Sequence, residues 1–260
     1  MGIVAGCDVG SLTAKAVILK DKQIIASGIV RSKARPQKSA ENAMSEALSK
    51  CAVKQSDIQF CVGTGYGRNQ ISFVDHVVSE ITCHAKGAKF LIPSVKTIID
   101  IGGQDCKIMK IDQHANVINF ITNDKCASGT GRFLEVMAQV LNIDISDLGG
   151  MTKQSNSPIT LASTCTVWAQ ADVIKHINDG VPHEDIGAGI NTAMANRVSI
   201  LVRSIKPEKD ICMTGGVAKN QGVISVMEKI LGQRVKKIRK FDPQLAGAIG
   251  AAILAHEKSS

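Results

Sequence analysis

The sequence predicts an α/β protein made of two lobes of similar build that face one another. Three observations carry this. Apolar strand segments alternate with stretches of helical periodicity along 260 residues, which is length enough for two modest cores. An apolar strand ends at Asp8-Val9-Gly10-Ser11 and resumes as a second strand, and the same arrangement recurs at Asp100-Ile101-Gly102-Gly103-Gln104-Asp105. A third glycine cluster, Met213-Thr214-Gly215-Gly216-Val217-Ala218, follows a late strand.

Taken in order, residues 3–7 form the first strand, with a tight glycine turn leading into a second strand at 15–20. Residues 39–52 carry apolar positions at helical spacing, with Ser39 as the expected cap. A strand at 58–62 runs into Gly63-Thr64-Gly65-Tyr66-Gly67, and 79–90 reads as a helix rich in small residues. The second lobe opens with a strand at 97–99 and resumes after its turn at 107–111. Helices are expected near 130–142, 168–178, 186–205, 219–231 and 244–256, with the strand before Gly215 between the third and fourth. Residues 1–95 would then be the N-terminal lobe and 96–243 the C-terminal lobe, with the last helix, about 244–257, packing back on the first.

The composition is that of an ordinary globular chain, 44% hydrophobic and 21% charged. No apolar run approaches the ~18 residues of a membrane span. Residues 1–8 lack the basic start and cleavage site of a signal peptide, and Gly6 breaks the myristoylation pattern. The expected location is the cytoplasm. The net charge is +8, but only eight aromatic residues are present (Trp168, Tyr66 and six Phe). A single-strand nucleic-acid binder would set stacking rings beside its cations, so the charge points to an acidic protein partner or an anionic ligand.

Each Asp-x-Gly turn places a carboxylate at a strand end beside bare backbone. Glycine lets amide N–H groups approach phosphate oxygens closely, and the carboxylates suit Mg²⁺ held through its waters. Two such turns from opposed lobes would clamp a triphosphate. The Thr214–Ala218 cluster suits an adenosine lying on backbone.

With these motifs in place, the sequence resembles the acetate and sugar kinase, heat-shock chaperone and actin superfamily of ATPases. It is most similar to one branch, the activator components of 2-hydroxyacyl-CoA dehydratases and the ATPase subunits of benzoyl-CoA reductase. The residues that carry the resemblance are Cys7–Ser11, Thr64–Arg68, Ile99–Asp105, Asn123–Phe133, Ser163–Val167, Met213–Ala218 and Ala246–Ala252. Two departures flank the cysteines: Trp168-Ala169-Gln170-Ala171-Asp172 replaces the branch's usual Phe-Ala-Glu-Ser-Glu, and Ser128 replaces a common Ala. The resemblance implies a two-lobed, actin-like fold, duplicated and related to ribonuclease H, with a nucleotide cleft between the lobes. Asp8 and Asp100 would hold Mg²⁺ through water, and Gln104 or Asp105 would orient the attacking water. ATP or ADP would contact Gly10, Ser11, Thr13, Lys15, Gly102, Gly103, Gly129, Thr130, Gly131, Gly215, Gly216, Val217 and Ala218. The implied activity is ATP hydrolysis that drives an electron, received from ferredoxin or flavodoxin, to a partner iron–sulfur dehydratase or reductase.

Of eight cysteines, six (Cys7, Cys51, Cys61, Cys83, Cys106, Cys212) lie in apolar segments and read as core. There is no Cys-x-x-Cys, which removes zinc fingers and ferredoxin-type cluster runs. Cys126 and Cys165 instead sit in polar turns ahead of helices, whose N-termini favour anionic sulfur. They are the expected ligands of a [4Fe-4S] cluster. A cluster takes four thiolates, so the expected assembly is a homodimer sharing one cluster; the alternative is a single-chain site that recruits two more cysteines, Cys106 the best candidate among them. Of the basic residues between Gln233 and Lys240, a solvated strand face is the first reading and a docking patch for an acidic carrier the second. Cys83-His84 has no further metal ligand at suitable spacing, and the histidines suggest no catalytic arrangement. A small-molecule kinase and a nucleotide-gated binding protein are the competing functional classes.

Overall fold

In the computed structural model, which describes residues 2–123, 125–163 and 165–259, two mixed five-stranded sheets have the same plan. In the first, β1 (Ile3–Val9) pairs antiparallel with β2 (Thr13–Lys20), β2 antiparallel with β3 (Gln23–Arg31), and β1 parallel with β4 (Ile58–Thr64). The short β5 (His76–Val77) closes the edge beside β4. In the second, β6 (Thr97–Ile101) pairs antiparallel with β7 (Cys106–Ile111), β7 antiparallel with β8 (Val117–Asn123), and β6 parallel with β9 (Ile211–Thr214). Here β10 (Val235–Lys236) closes the edge. The internal echo read from the sequence is therefore a duplication of the whole sheet.

Both faces of the central strands are covered, so β1, β6, β7 and β9 are buried almost throughout, whereas β8 is largely exposed. On β1 and β2, Ala5, Cys7, Ala14, Ala16 and Ile18 turn toward α1 (Pro36–Leu48), while Val4, Val17 and Leu19 turn toward α8 (Ala246–Ser259). On the second sheet, Ile99, Ile101 and Ile108 face a core supplied by α3 (Gly131–Val140), α4 (Ile145–Gln154), α5 (Thr166–Asn178), α6 (His183–Ser204) and α7 (Gln221–Leu231). Ile98, Met109 and Cys212 face α2 (Glu80–Leu91). Helix α2 is shared: Cys83 packs with α8 and the first sheet, Ala85 and Ala88 with the second. Its crossing with α8 is close because both helices present glycine. A Cβ on Gly87 would collide with the Ala246 carbonyl, and one on Gly250 with the Cys83 carbonyl.

Several elements differ from the sequence expectation. α1 begins at Pro36, and its N-cap is Arg35 rather than Ser39. Proline's fixed φ and missing N–H suit the first helical position. Ser39 is buried in the first turns, where its hydroxyl accepts from the Lys33 amide (2.8 Å) and so fixes the entering loop. β3, β5, β8 and α4 have no counterpart in that expectation. Cys51 is half-buried past the end of α1 rather than core. The basic run makes a strand of only two residues; Lys236 pairs with Asp210 (2.6 Å) and Lys237 donates to Gln221. No helix among the described residues is long and apolar enough to cross a membrane.

Candidate functional site

The two hairpin turns are built alike. The Gly10 amide donates to the Thr13 carbonyl (3.0 Å), and the Gly102 amide donates to the Asp105 carbonyl (3.0 Å). In the first sheet Asp8 lies across from Lys15 on one neighbour and Thr64 on the other; in the second, Asp100 lies across from Lys107 and Thr214. Each threonine is followed by a glycine with positive φ, Gly65 at 88° and Gly215 at 82°. At Gly215 a side chain would also strike the Ile101 carbonyl, so this position demands glycine twice over. The turns meet directly: Leu12 packs on the bare Cα of Gly103, where any Cβ would collide with it.

Between the turns lies a cleft of about 390 Å³. Asp8, Gly10, Ser11, Thr13 and Lys15 line it from the first half, and Asp100, Gly102, Gly103, Asp105, Gly131, Gly215, Gly216 and Val217 from the second. Gln104 is exposed and not among the lining residues, whereas Asp105 beside it is buried. Gly129, Thr130 and Ala218 stand behind the lining. Thr130 is the N-cap residue of α3 and donates its hydroxyl to the Ala127 carbonyl (2.7 Å), and Ala218 packs on the second core. Leu12, Glu80, Lys107, Leu134, Ile145 and Asn220 line the cleft without having been singled out in the sequence, and His84, read there only as a metal pair with Cys83 lacking further ligands, lines it too. A signal for one of them existed: Lys107 follows Asp100 at the same spacing as Lys15 follows Asp8.

The floor of the cleft is a buried charge cluster. Lys15 Nζ donates to Asp8 Oδ2 (3.1 Å). Around Asp100, Thr214 Oγ1 donates to Oδ1 (2.7 Å), His84 Nδ1 lies 3.2 Å from Oδ1, and Lys107 Nζ lies 3.8 Å from Oδ2. Lys107 also pairs with Asp105 and lies 3.5 Å from Glu80 Oε1. Burial alone would raise the Asp100 carboxyl; His84, Lys107 and the Thr214 hydroxyl together hold it well below the usual range. Burial would lower Lys107, yet three carboxylates around it push it above the usual lysine value. Burial raises Glu80. Burial would lower His84 as well, but the Asp100 carboxylate outweighs it and the net shift is upward. Carboxylates at the ends of two glycine turns, with backbone bare of side chains beside them, form a surface suited to a hydrated divalent cation and a polyphosphate.

Cys126 and Cys165 are both exposed. Cys165 is the N-cap residue of α5, and its amide donates to Ser163 Oγ (3.1 Å). Cys126 lies in the loop from β8 to α3, where Asn123 Nδ2 donates to the Cys126 carbonyl (3.2 Å) and the Ser128 carbonyl (3.0 Å). Helices α3 and α5 pack against each other. The first two amides of α3 bond to the second glycine turn: Gly131 to the Gly102 carbonyl and Arg132 to the Gly103 carbonyl, each at 2.8 Å. Asp124 and Thr164, within the segments singled out around the two cysteines, lie outside the described residues. Cys7, Cys61, Cys83, Cys106 and Cys212 are buried, and burial pushes Cys61, Cys83 and Cys212 up to about 12. Among the described residues of one chain, no group of three or more His, Cys, Asp or Glu could hold a metal ion.

Residues 5–255 match the BadF/BadG/BcrA/BcrD ATPase family. The chain is 41% identical to the 2-hydroxyisocaproyl-CoA dehydratase activator of Clostridioides difficile, covering 98% of this chain and 95% of that protein. It is 42% identical to the (R)-2-hydroxyglutaryl-CoA dehydratase activating ATPase of Acidaminococcus fermentans, covering 98% and 97%. The solved structure of the Clostridium difficile activator with bound ADPNP superposes with a TM-score of 0.95, at 41% identity, over 99% of this chain and 95% of that one. A ROK family glucokinase from Streptomyces griseus superposes with a TM-score of 0.58 at 13% identity, over 98% of this chain and 100% of that one, a likeness of fold alone.

Proposed function

Because the chain belongs to the BadF/BadG/BcrA/BcrD ATPase family, we propose that it is an activator that hydrolyses ATP to deliver single electrons, at low potential, to a partner iron–sulfur enzyme. That partner is a 2-hydroxyacyl-CoA dehydratase or a related reductase, and the donor is ferredoxin or flavodoxin. The observation that carries this reading is the pair of hydrogen bonds from Gly131 and Arg132 to Gly102 and Gly103. They make the phosphate turn and the helix behind the Cys126 loop one connected unit.

In this reading Asp8 and Asp100 hold the hydration shell of Mg²⁺, and the glycine turns at Gly10–Ser11 and Gly102–Gly103 lie against the phosphates. Asp105 or Gln104 orients the attacking water; of the two, Asp105 already lines the cleft. Gly215, Gly216 and Val217 carry the adenosine. Residues 1–95 with α8 act as one lobe and 96–243 as the other. Cys126 and Cys165 are the exposed thiols, at the N-terminal side of two helices packed on each other, and they fit half the ligand set of a [4Fe-4S] cluster. A second copy about a two-fold axis supplies the other half. When bound, the cluster supplies the one-electron chemistry. The chain's own part is to hold the thiols and to transmit closure of the phosphate turns through α3.

Anaerobic purification tests the reading. The expected protein is brown, dimeric, and carries about two irons per chain. Cys126→Ala or Cys165→Ala should each abolish the iron while leaving a folded monomer. A redox titration with and without nucleotide should give separated curves, and reduction should change nucleotide affinity reciprocally. Iron-free protein that makes a soluble phosphorylated product would place the chain among the kinases instead. Four irons on a stable monomer would overturn the shared site.

A further inference from the structure

His84 is buried at the floor of the cleft, and hydrolysis as described above gives it no part. It sits on α2, one turn after Glu80, on the helix that packs against α8 on one side and β6 and β7 on the other. Its Nδ1 stands 3.2 Å from Asp100 Oδ1, near enough for an ion pair but not aligned as a hydrogen bond. The opposite edge of the ring faces the first half. A Cβ placed on Gly247 would lie 2.8 Å from His84 Nε2 and 2.8 Å from Asp8 Oδ2, so the imidazole and the Asp8 carboxylate share the space that this glycine leaves open. One ring thus turns its two nitrogens toward the carboxylates of the two phosphate turns.

The other partners of Asp100 cannot do this. Thr214 stands on β9 and Lys107 on β7, both in the same sheet as Asp100, and they fix the carboxylate within its own half. The contact of Leu12 with Gly103 does cross between halves, but it is apolar and has no direction. His84 alone among these neighbours is a directional group carried by a helix common to both cores.

We propose that His84 is a positioning residue for ATP hydrolysis: standing 3.2 Å from Asp100 and across the Gly247 gap from Asp8, it forms an electrostatic tie, not a bond, between the two, and so sets the separation of the carboxylates that hold the metal's hydration shell. This rests on the ATPase reading. The carboxylates must hold that separation while the phosphates are in place. A misplacement of the order of an ångström there lowers turnover much more than it lowers binding.

The test is steady-state ATP hydrolysis by the anaerobically purified protein with Mg²⁺, comparing the parent with His84→Ala and His84→Asn. His84→Ala should lower kcat by on the order of 10- to 100-fold with KM within about threefold. His84→Asn, whose side-chain amide can place a donor near the position of Nδ1, should recover most of that loss. Parental kcat in His84→Ala overturns the proposal. So does His84→Asn no better than His84→Ala when both melt like the parent, since that marks a role in packing only. A second measurement needs no variant. In the parent labelled with ¹⁵N-histidine, the His84 ring nitrogens should shift on addition of Mg·ADPNP more than those of the other five histidines; an unmoved His84 overturns the proposal. A parent that binds Mg·ADPNP but hydrolyses no ATP would overturn the ATPase reading, and the tie with it; a parent that turns over normally while His84→Ala matches it overturns the tie alone.

Discussion

The two Asp-x-Gly hairpins share a backbone and differ in what surrounds the aspartate. Among the described residues Asp8 has one hydrogen-bonded cation, Lys15, and the threonine across from it, Thr64, donates its hydroxyl away, to the Val78 carbonyl (2.9 Å). Asp100 has Thr214, His84 and Lys107, and Lys107 in turn gathers Asp105 and Glu80. The same fold unit has therefore been fitted once with a single ion pair and once with a dense network, both of them buried. Such a network is rigid when every member is satisfied and fragile when one is removed. The second turn is the more heavily cross-linked of the two.

The largest test of that contrast is Asp100→Asn. ATP turnover should fall by roughly 10²-fold or more, as expected when a group that stabilises developing charge is lost, while iron content stays normal. Hydrolysis at the parental rate would show that the phosphate site is misplaced. Stability should then separate the two turns. Without nucleotide, Asp100→Asn takes a carboxylate from both His84 and Lys107, leaving Lys107 with Asp105 and Glu80 alone, and should cost roughly 3 kcal/mol or more. Asp8→Asn loses one charged hydrogen bond and should cost about 1–2 kcal/mol. Urea melts of both variants check this, and equal midpoints would erase the distinction.

A smaller version compares the two threonines. Thr214→Val removes a hydrogen bond to a buried carboxylate and should destabilise by about 2 kcal/mol, against about 1 kcal/mol for Thr64→Val. The opposite order would mean that the Asp100 network does not depend on the hydroxyl. Smallest in its effect on the fold is thiol modification. The thiolate is the reactive form, and burial disfavours it, so Cys61, Cys83 and Cys212, all near 12, should resist iodoacetamide at about pH 8. Exposed Cys126 and Cys165 in iron-free protein should react fully with almost no change in melting temperature. Labelling of the buried cysteines before unfolding would reveal a looser core than the packing implies.

The plan of the molecule was legible where chemistry repeats locally. Both Asp-x-Gly turns, the Gly215 cluster and the two polar-turn cysteines can be read from neighbouring residues. β3 was missed because its turn has no glycine; Asp21 and Lys22 adopt the positive φ values themselves, 50° and 64°. α4 was missed because Gly149-Gly150 sits mid-helix, where tertiary packing overrides propensity. Gly149 lies where a Cβ would press on Asn220 at the start of α7. His84 and Glu80 could not be placed at all from spacing. Their meaning arises only when α2 inserts between the two sheets, far in sequence from Asp100's strand.

The close crossing of α2 and α8 also bears on how the chain is made. The face of the first sheet formed by Val4, Val17, Leu19 and Val62 is covered by a helix that leaves the ribosome only after the entire second half. During synthesis that face waits, exposed, while residues 96–243 are added, and pairing it with α8 closes one of the longest loops the chain can form. The first half is therefore built early and finished last. A fragment ending before α8 should be aggregation-prone, and supplying a peptide of residues 246–259 in trans should restore its solubility.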